Sequence, residues 1–205
     1  LGIKEEASNV IYRCADGYFT YNTLEELQNK GVMGALYMNG ETIPALYGFP
    51  LRIIFPGYYG VRQPGWITEM EIVAGEGEDY SSRYKVDSSI AIDSKIFFPY
   101  DNAKFSPGDS IKIGGAAFGG RRITEVDITL DEGNTWIPAT IIEELDEDYV
   151  WVFWETVITP QSAGTIILSS RATAQDGSVQ PQDDDDFSDG TNSWPSVTIS
   201  VTEND

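Results

Sequence analysis

The chain has 205 residues, 41% hydrophobic and 12% aromatic, which is enough apolar material for one large or two modest cored domains and excludes a disordered chain. Its 33 acidic residues against 13 basic ones leave a formal charge of -20. That balance excludes nucleic acid and anionic membrane as partners, because neutralising phosphates takes clustered Lys and Arg. It suits a cationic partner such as a basic cytochrome, or a high-salt or extracytoplasmic (periplasmic or extracellular) setting in which charge maintains solubility.

In chain order, residues 23–30 read as a short helix, with Thr23 as its cap, Glu25 and Glu26 in the first turn and Gly31 as its stop. Two strands follow, Leu51 to Phe55 and Ile67 to Val73. Between them Pro56-Gly57 breaks the chain, and Gly57, Gly60 and Gly65 permit the left-handed angles that turn backbone N–H groups toward one point. Arg52 stays charged inside an apolar run and must find an anionic partner, and Arg62 adds a forked donor suited to phosphate or pyrophosphate. The stretch reads as an anion cradle. On spacing alone, an irregular loop whose arginines pair with local acids also fits. Gly75 to Asp79 is a solvated loop, and residues 1–89 form a mixed α+β fragment lacking most of its sheet.

From Ile90 the pattern changes to short strands separated by turn clusters: Ser110 to Ile113, Ile123 to Leu130, Trp136 to Ile142, Tyr149 to Ile158, Thr165 to Ala172 and Ser196 to Val201. Val126, Ile128 and Leu130 alternate with Asp127 and Thr129, as a strand with one wet face requires. Asp131-Glu-Gly-Asn134 is a hairpin turn. The periodicity predicts an immunoglobulin-like β-sandwich over 90–205, with Trp136, Trp151, Phe153 and Trp154 in its core and interface. The fold class is therefore mainly β.

Nine short words follow one another in order: Arg13-Cys-Ala-Asp-Gly-Tyr18, Met38-Asn-Gly40, Gly48-Phe-Pro-Leu-Arg52, Pro56-Gly-Tyr-Tyr-Gly-Val-Arg62, Trp66-Ile-Thr68, Gly119-Gly-Arg121, Leu130-Asp-Glu-Gly-Asn-Thr-Trp136, Trp151-Val-Phe-Trp-Glu155 and Asn192-Ser-Trp194. This series resembles the C-terminal half of the sulfite oxidase family of molybdenum-cofactor oxidoreductases. The resemblance implies a partial molybdopterin-binding domain over 1–89 and an immunoglobulin-like dimerisation domain over 90–205. Family members hold molybdenum through a pyranopterin dithiolene and one cysteine that lies upstream of these words. The only cysteine here, Cys14, follows that region, so no metal ligand is assigned to this chain.

Position by position, the resemblance places Arg52 on the arginine that holds the cofactor phosphate, Val61, Arg62 and Gln63 on the loop lining the pterin, and Asp16 on an acidic cofactor contact. Tyr84 falls on the tyrosine that hydrogen-bonds the oxyanion substrate, and Arg121 on an arginine sent into the sulfite pocket. A surface tyrosine and a strand-end cation are the alternatives for those two. Tyr47 stands where the family has a cofactor-contacting histidine, and Gly65 where it has a lysine. The chain has no histidine at all, which excludes serine–histidine and cysteine–histidine nucleophilic sites. It has no Walker motif.

The implied function is the C-terminal portion or subunit of an oxygen-atom-transferring enzyme that passes electrons to a haem acceptor. A missing or separate molybdenum-ligating portion would complete it, and the sandwich would associate with itself or a larger assembly. The chain does not begin with Met, which predicts residues upstream. The alternative is a degenerate, cofactor-free structural or docking module. No stretch approaches the roughly 20 apolar residues of a membrane span. The acidic run Asp183 to Gly190 fails the register of a calcium loop and reads as a solvated loop with weak calcium binding at most.

Overall fold

The strands of the first unit, Leu1–Ser89, are β1 (Ala7–Cys14), β2 (Phe19–Thr23), the short β3 (Met33–Ala35), β4 (Tyr37–Met38), β5 (Glu41–Thr42) and β6 (Arg52–Ile54), and β7 (Ile67–Ala74), with helix α1 (Leu24–Asn29) after β2. The computed structural model describes residues 2–29, 31–77, 80, 89–142, 147–184 and 192–203. Strand β1 lies between β2 and β7 in an antiparallel sheet, and β3 pairs with β6. One face of the sheet, with Val10, Tyr12, Cys14 and Ile67, packs on Ile53 and on Leu24 and Leu27 of the helix.

Thr23 does cap α1. Its hydroxyl accepts from the Glu26 N–H at 3.0 Å, while the Glu26 carboxylate accepts from the Thr23 N–H at 2.9 Å. This reciprocal pair satisfies two donors at a helix start too short to be stable by itself.

The second unit, Ile90–Asp205, is an immunoglobulin-like sandwich. Its strands are β8 (Asp93–Phe98), β9 (Ala103–Phe105), β10 (Ile111–Phe118), β11 (Ile123–Thr129), β12 (Ile137–Pro138), β13 (Thr140–Ile141), β14 (Val152–Ile158), β15 (Gly164–Ala174) and β16 (Ser196–Val201). One sheet runs β13-β14-β10-β8 and the other β12-β11-β15-β16-β9, with only β16 and β9 parallel. Trp154, Ile111, Ile113, Ile128, Leu168 and Ile199 fill the space between them.

Strands β8 and β9 are absent from the sequence expectation, β14 starts at Val152 rather than Tyr149, and two further differences from that expectation have a local cause. Strand β10 continues through Gly114-Gly-Ala-Ala117, because bulky neighbours occupy the room the small residues leave: the Phe98 ring over Gly114 and Trp154 against Gly115. The single strand expected over 136–142 is two, since Pro138 cannot donate to a ladder and the Ala139 N–H turns to the Val126 carbonyl at 2.8 Å. The chain there leaves one sheet for the other. At the predicted hairpin, Glu132 and Gly133 take φ of 60° and 90°, and Asp131 accepts from the Thr135 hydroxyl (2.6 Å) and N–H (2.8 Å) and from the Thr129 hydroxyl. Those bonds, Thr135 first, hold its carboxyl below the usual range.

A polar tie crosses the sandwich interior. Ser94 of β8 meets Ser170 of β15 at 2.9 Å, and the Gln180 amide reaches Ser94, the Ala172 N–H and Asp93. Among the described residues, no helix is long and apolar enough to cross a membrane.

Candidate cofactor cradle

The loop from Tyr47 to Trp66 is closed by backbone. Gly48, at φ 109°, comes so near Gly65 that a Cβ on either would lie 2.9 Å from the other's Cα. The Trp66 N–H donates to the Gly48 carbonyl (2.9 Å) and the Ile53 N–H to the Pro64 carbonyl (2.9 Å). Gly65 therefore has a local reason to be glycine: in this conformation a lysine side chain there has no room. Of the three glycines expected to take left-handed angles only Gly57 does (φ 77°), because Gly60 opens a 3-10 turn and Gly65 serves the close approach.

Arg52 sits at the first position of β6. One guanidinium nitrogen donates to the Tyr47 carbonyl at 3.2 Å, its Nε is buried without a hydrogen-bond partner, and among the described residues no carboxylate pairs with it. A permanent cation with an orphaned buried N–H is poised for an anion. Exposed Leu46, Tyr47 and Phe49 lie in the chain just before it.

Arg62 is placed otherwise than expected for a phosphate donor. Its side chain is fully buried, bonded to Glu26 at 2.7 Å and enclosed by the rings of Phe55 (5.0 Å), Tyr21 (5.2 Å) and Tyr58 (5.5 Å). Desolvation is offset by the ion pair and by the aromatic faces, so the residue braces the loop from inside. Glu26 thus closes the helix cap and anchors the loop with one carboxylate. The Thr-x-x-Glu spacing signals the cap, but nothing in the sequence signals the second task.

The neighbouring candidates are also turned inward. The Gln63 amide donates to the Tyr58 carbonyl (2.8 Å), and the Val61 carbonyl accepts from the Tyr18 hydroxyl (2.6 Å). Asp16 is exposed in a tight turn, accepting from the Tyr18 N–H (3.0 Å), and the Ala15 N–H donates to the Trp66 carbonyl (2.9 Å). The structure therefore brings the Arg13–Tyr18 turn against the loop. Burial, and then Asp16, push the adjacent Cys14 thiol up to about 11, so it stays protonated near neutrality. Among the described residues no three potential metal ligands converge.

Arg121 belongs to the second unit, where its Nε meets Asp176 at 2.8 Å with both side chains about half exposed. Tyr84 lies outside the described residues, as does most of the acidic run; Asp184 at its start accepts from the Asn192 N–H at 3.3 Å. Of the tryptophans, Trp154 is core, whereas Trp136 lies against Arg171 (3.8 Å) and Trp194 (4.8 Å).

Comparison with known proteins agrees with this architecture. Residues 1–81 match the oxidoreductase molybdopterin binding domain and residues 84–202 the Mo-co oxidoreductase dimerisation domain. Sulfite oxidase of Arabidopsis thaliana is 29% identical over 74% of this chain and 46% of its own length. Mitochondrial sulfite oxidase of Drosophila melanogaster is 31% identical over 74% of this chain and 32% of its own, and an NADPH nitrate reductase of Fusarium oxysporum 29% identical over 76% and 23%. The chain thus spans less than half the length of these relatives. The sulfane dehydrogenase SoxCD of Paracoccus pantotrophus shares the fold, with a TM-score of 0.70 at 24% identity over 88% of this chain and 50% of that one. With both domain models matched in tandem across nearly its whole length, the chain belongs to the sulfite oxidase family of molybdenum-cofactor oxidoreductases.

Proposed function

We propose that this chain is the C-terminal portion or subunit of a sulfite-oxidase-like oxidoreductase, supplying part of the molybdopterin cradle, oxyanion contacts and the dimer interface. The observation that carries the reading is Arg52, with its orphaned buried Nε and no carboxylate paired with it among the described residues. Arg52 would hold the cofactor's phosphate end, with Asp16 at the rim. Val61, Arg62 and Gln63 would keep the loop in shape rather than touch the ligand through their side chains. The cofactor, when bound, supplies the metal centre for oxygen-atom transfer. Tyr84 and Arg121 would hold an anionic substrate by charge and hydrogen bonds. A separate or covalently linked portion would bring the metal-ligating cysteine, a haem protein such as a basic cytochrome would take the electrons, and the acidic surface fits an extracytoplasmic setting.

A second reading, a cofactor-free docking module, draws support from Tyr47 and Gly65 and from the inward turn of Arg62. Arg52→Ala separates the two. In the natively purified assembly it should weaken cofactor retention about 30-fold, the equivalent of about 2 kcal/mol for a lost charge-assisted contact. Molybdenum and pterin would be quantified per chain. Occupancy equal to the parent's would favour the module.

A further inference from the structure

Directly opposed residues of an antiparallel pair project to the same side of the sheet, so the registers in the first unit tell how far its covered face extends. Across β1 and β2 the opposed pairs Tyr12–Thr20 and Val10–Asn22 are buried, and Val10 and Tyr12 pack with Ile53 and with Leu24 and Leu27 of α1. Across β1 and β7 the same Tyr12 and Val10 oppose Met70 and Ile72, which therefore belong to that face, yet each of these is 51% exposed. The core face continues onto β7, and among the described residues its cover does not. The strand has a second open side. Among the described residues β7 pairs with β1 alone, and its eight residues include neither proline nor lysine, two common guards of a free edge. A cleft of about 450 Å³ between Gly2, Ile3 and Lys4, on the way into β1, and Ile72–Ala74 adjoins the end of the strand. A further strand laid along β7 would use its free backbone groups, and the apolar residues beside it would cover Met70 and Ile72.

Charge narrows the occupant. Glu69 and Glu71 alternate with Met70 and Ile72 and project from the other face, where Glu71 meets Arg13 at 3.5 Å. Two copies of β7 joined edge to edge about a two-fold axis would set these glutamates opposite or diagonal to one another, on chains of net charge -20 each, and like charges so placed are destabilising. A strand that alternates apolar with basic residues fits instead. The relatives have polypeptide to supply it: the matched region is 46% and 32% of the two sulfite oxidases compared above and 50% of the SoxCD chain. We propose that β7 is the edge to which the metal-ligating portion adds a strand, with apolar residues over Met70 and Ile72 and basic ones beside Glu69 and Glu71. The proposal rests on the reading that such a portion completes this chain, and it names the surface that the portion uses.

The test is hydrogen exchange, read by mass spectrometry on β7 peptides, in the natively purified assembly and in the 205-residue chain by itself at roughly 1 and 100 µM. The expected result is exchange over β7 at least about tenfold slower in the assembly than in the chain alone, with the chain alone giving the same rate at both concentrations. In the assembly Met70→Lys and Ile72→Lys should return β7 to the faster rate, whereas Ile167→Lys, at a 42% exposed position of the second unit, should leave it slow. All three positions are exposed, and circular dichroism checks that each variant folds. A further polypeptide present, separate or linked, with β7 exchanging as in the chain alone, or protection untouched by both Met70→Lys and Ile72→Lys, would overturn the edge while leaving that polypeptide its place in the enzyme. Protection that rises with the concentration of the chain alone would give the edge to a second copy and overturn the occupant. An assembly with no further polypeptide would overturn the proposed function, and this occupant with it.

Discussion

The interiors of the two units are made of different material. In the second unit, 15 buried apolar residues form a continuous cluster between two sheets, and Trp154 Nε1 is the one buried side-chain polar atom left without a partner among the described residues. In the first unit five buried apolar residues form the cluster, and around them lie a buried arginine and orphaned polar atoms on Tyr12, Thr20, Asn22 and Arg52. A core of the first kind specifies a fold by volume. The second kind specifies it by charge and hydrogen bonding, and leaves donors and acceptors in reserve. The contrast sets an interior closed on itself beside one that keeps unpartnered polar atoms.

The largest expected effect sharpens the scaffold side. Trp154→Ala empties the middle of the sandwich and should remove about 3–5 kcal/mol from the second unit. Urea unfolding followed by circular dichroism would show it, and a loss below about 1 kcal/mol would mean that the core is not what holds that unit.

Next is Glu26→Ala, which strips a carboxylate from buried Arg62 and from the Thr23 N–H together. About 3 kcal/mol should be lost from the first unit, since removing one partner of a buried pair leaves its charge uncompensated. Amide exchange in α1 and in the 58–63 turn should quicken in parallel. A change confined to the helix would show that the loop does not depend on the pair.

Both predictions bear on how far the sequence was legible. The alternation of Val126, Ile128 and Leu130 exposed a strand because sheet pleating has a period of two, and Thr23 marked a helix because caps are local. Strand β10 was read only to Ile113, since Gly114 to Ala117 carry no intrinsic strand preference and owe their place to the rings of Phe98 and Trp154, distant in sequence. Strand β1 was not read at all, although its Asn9-Val-Ile-Tyr12 is buried. In the cradle, Arg52, which the sequence reading required to find an anionic partner, pairs with no carboxylate among the described residues. Arg62 was not legible as a buried brace, because its partner Glu26 lies 36 residues away on a helix and its aromatic cage is assembled from two segments, Tyr21 and Phe55–Tyr58. Tertiary contacts of that range leave no periodic trace.

A smaller effect concerns pH. Burial raises the Asp93 pKa, with its bonds to Lys95 acting against the shift. A raised folded value means that its stabilising contribution is complete below the ordinary aspartate value, about 3.9, and is lost as pH rises through the folded one. Asp93→Asn should therefore stabilise the second unit near neutrality, by up to about 1 kcal/mol, with the gain shrinking as pH falls toward 3.9. Thermal unfolding at several pH values measures it, and a destabilised variant at pH 7 would show that the Lys95 pair outweighs burial.

The smallest is Tyr12→Phe. Its hydroxyl is buried without a partner, and burial pushes its pKa up to about 12 against the pull of Arg62. Deleting a group that bonds to nothing should leave stability unchanged or raise it by up to about 1 kcal/mol, as the first unit's urea midpoint would report. A clear loss would show that the orphaned atoms of this unit are satisfied in solution and would blur the contrast.

The short crossing at Ala139, where the chain passes from the β11 ladder to the β14 ladder within five residues, has a kinetic consequence. Layers joined only by side-chain packing can part by slipping, with each sheet keeping its own hydrogen bonds. Here Asp127–Ile128 hold one end of the segment and Glu155–Trp154 the other, so parting the layers must first break backbone pairing in both. The slowest-exchanging amides of β11 and β14 should therefore open in a single event with a shared rate, and the sandwich should lack a partly opened form in which one sheet survives the other.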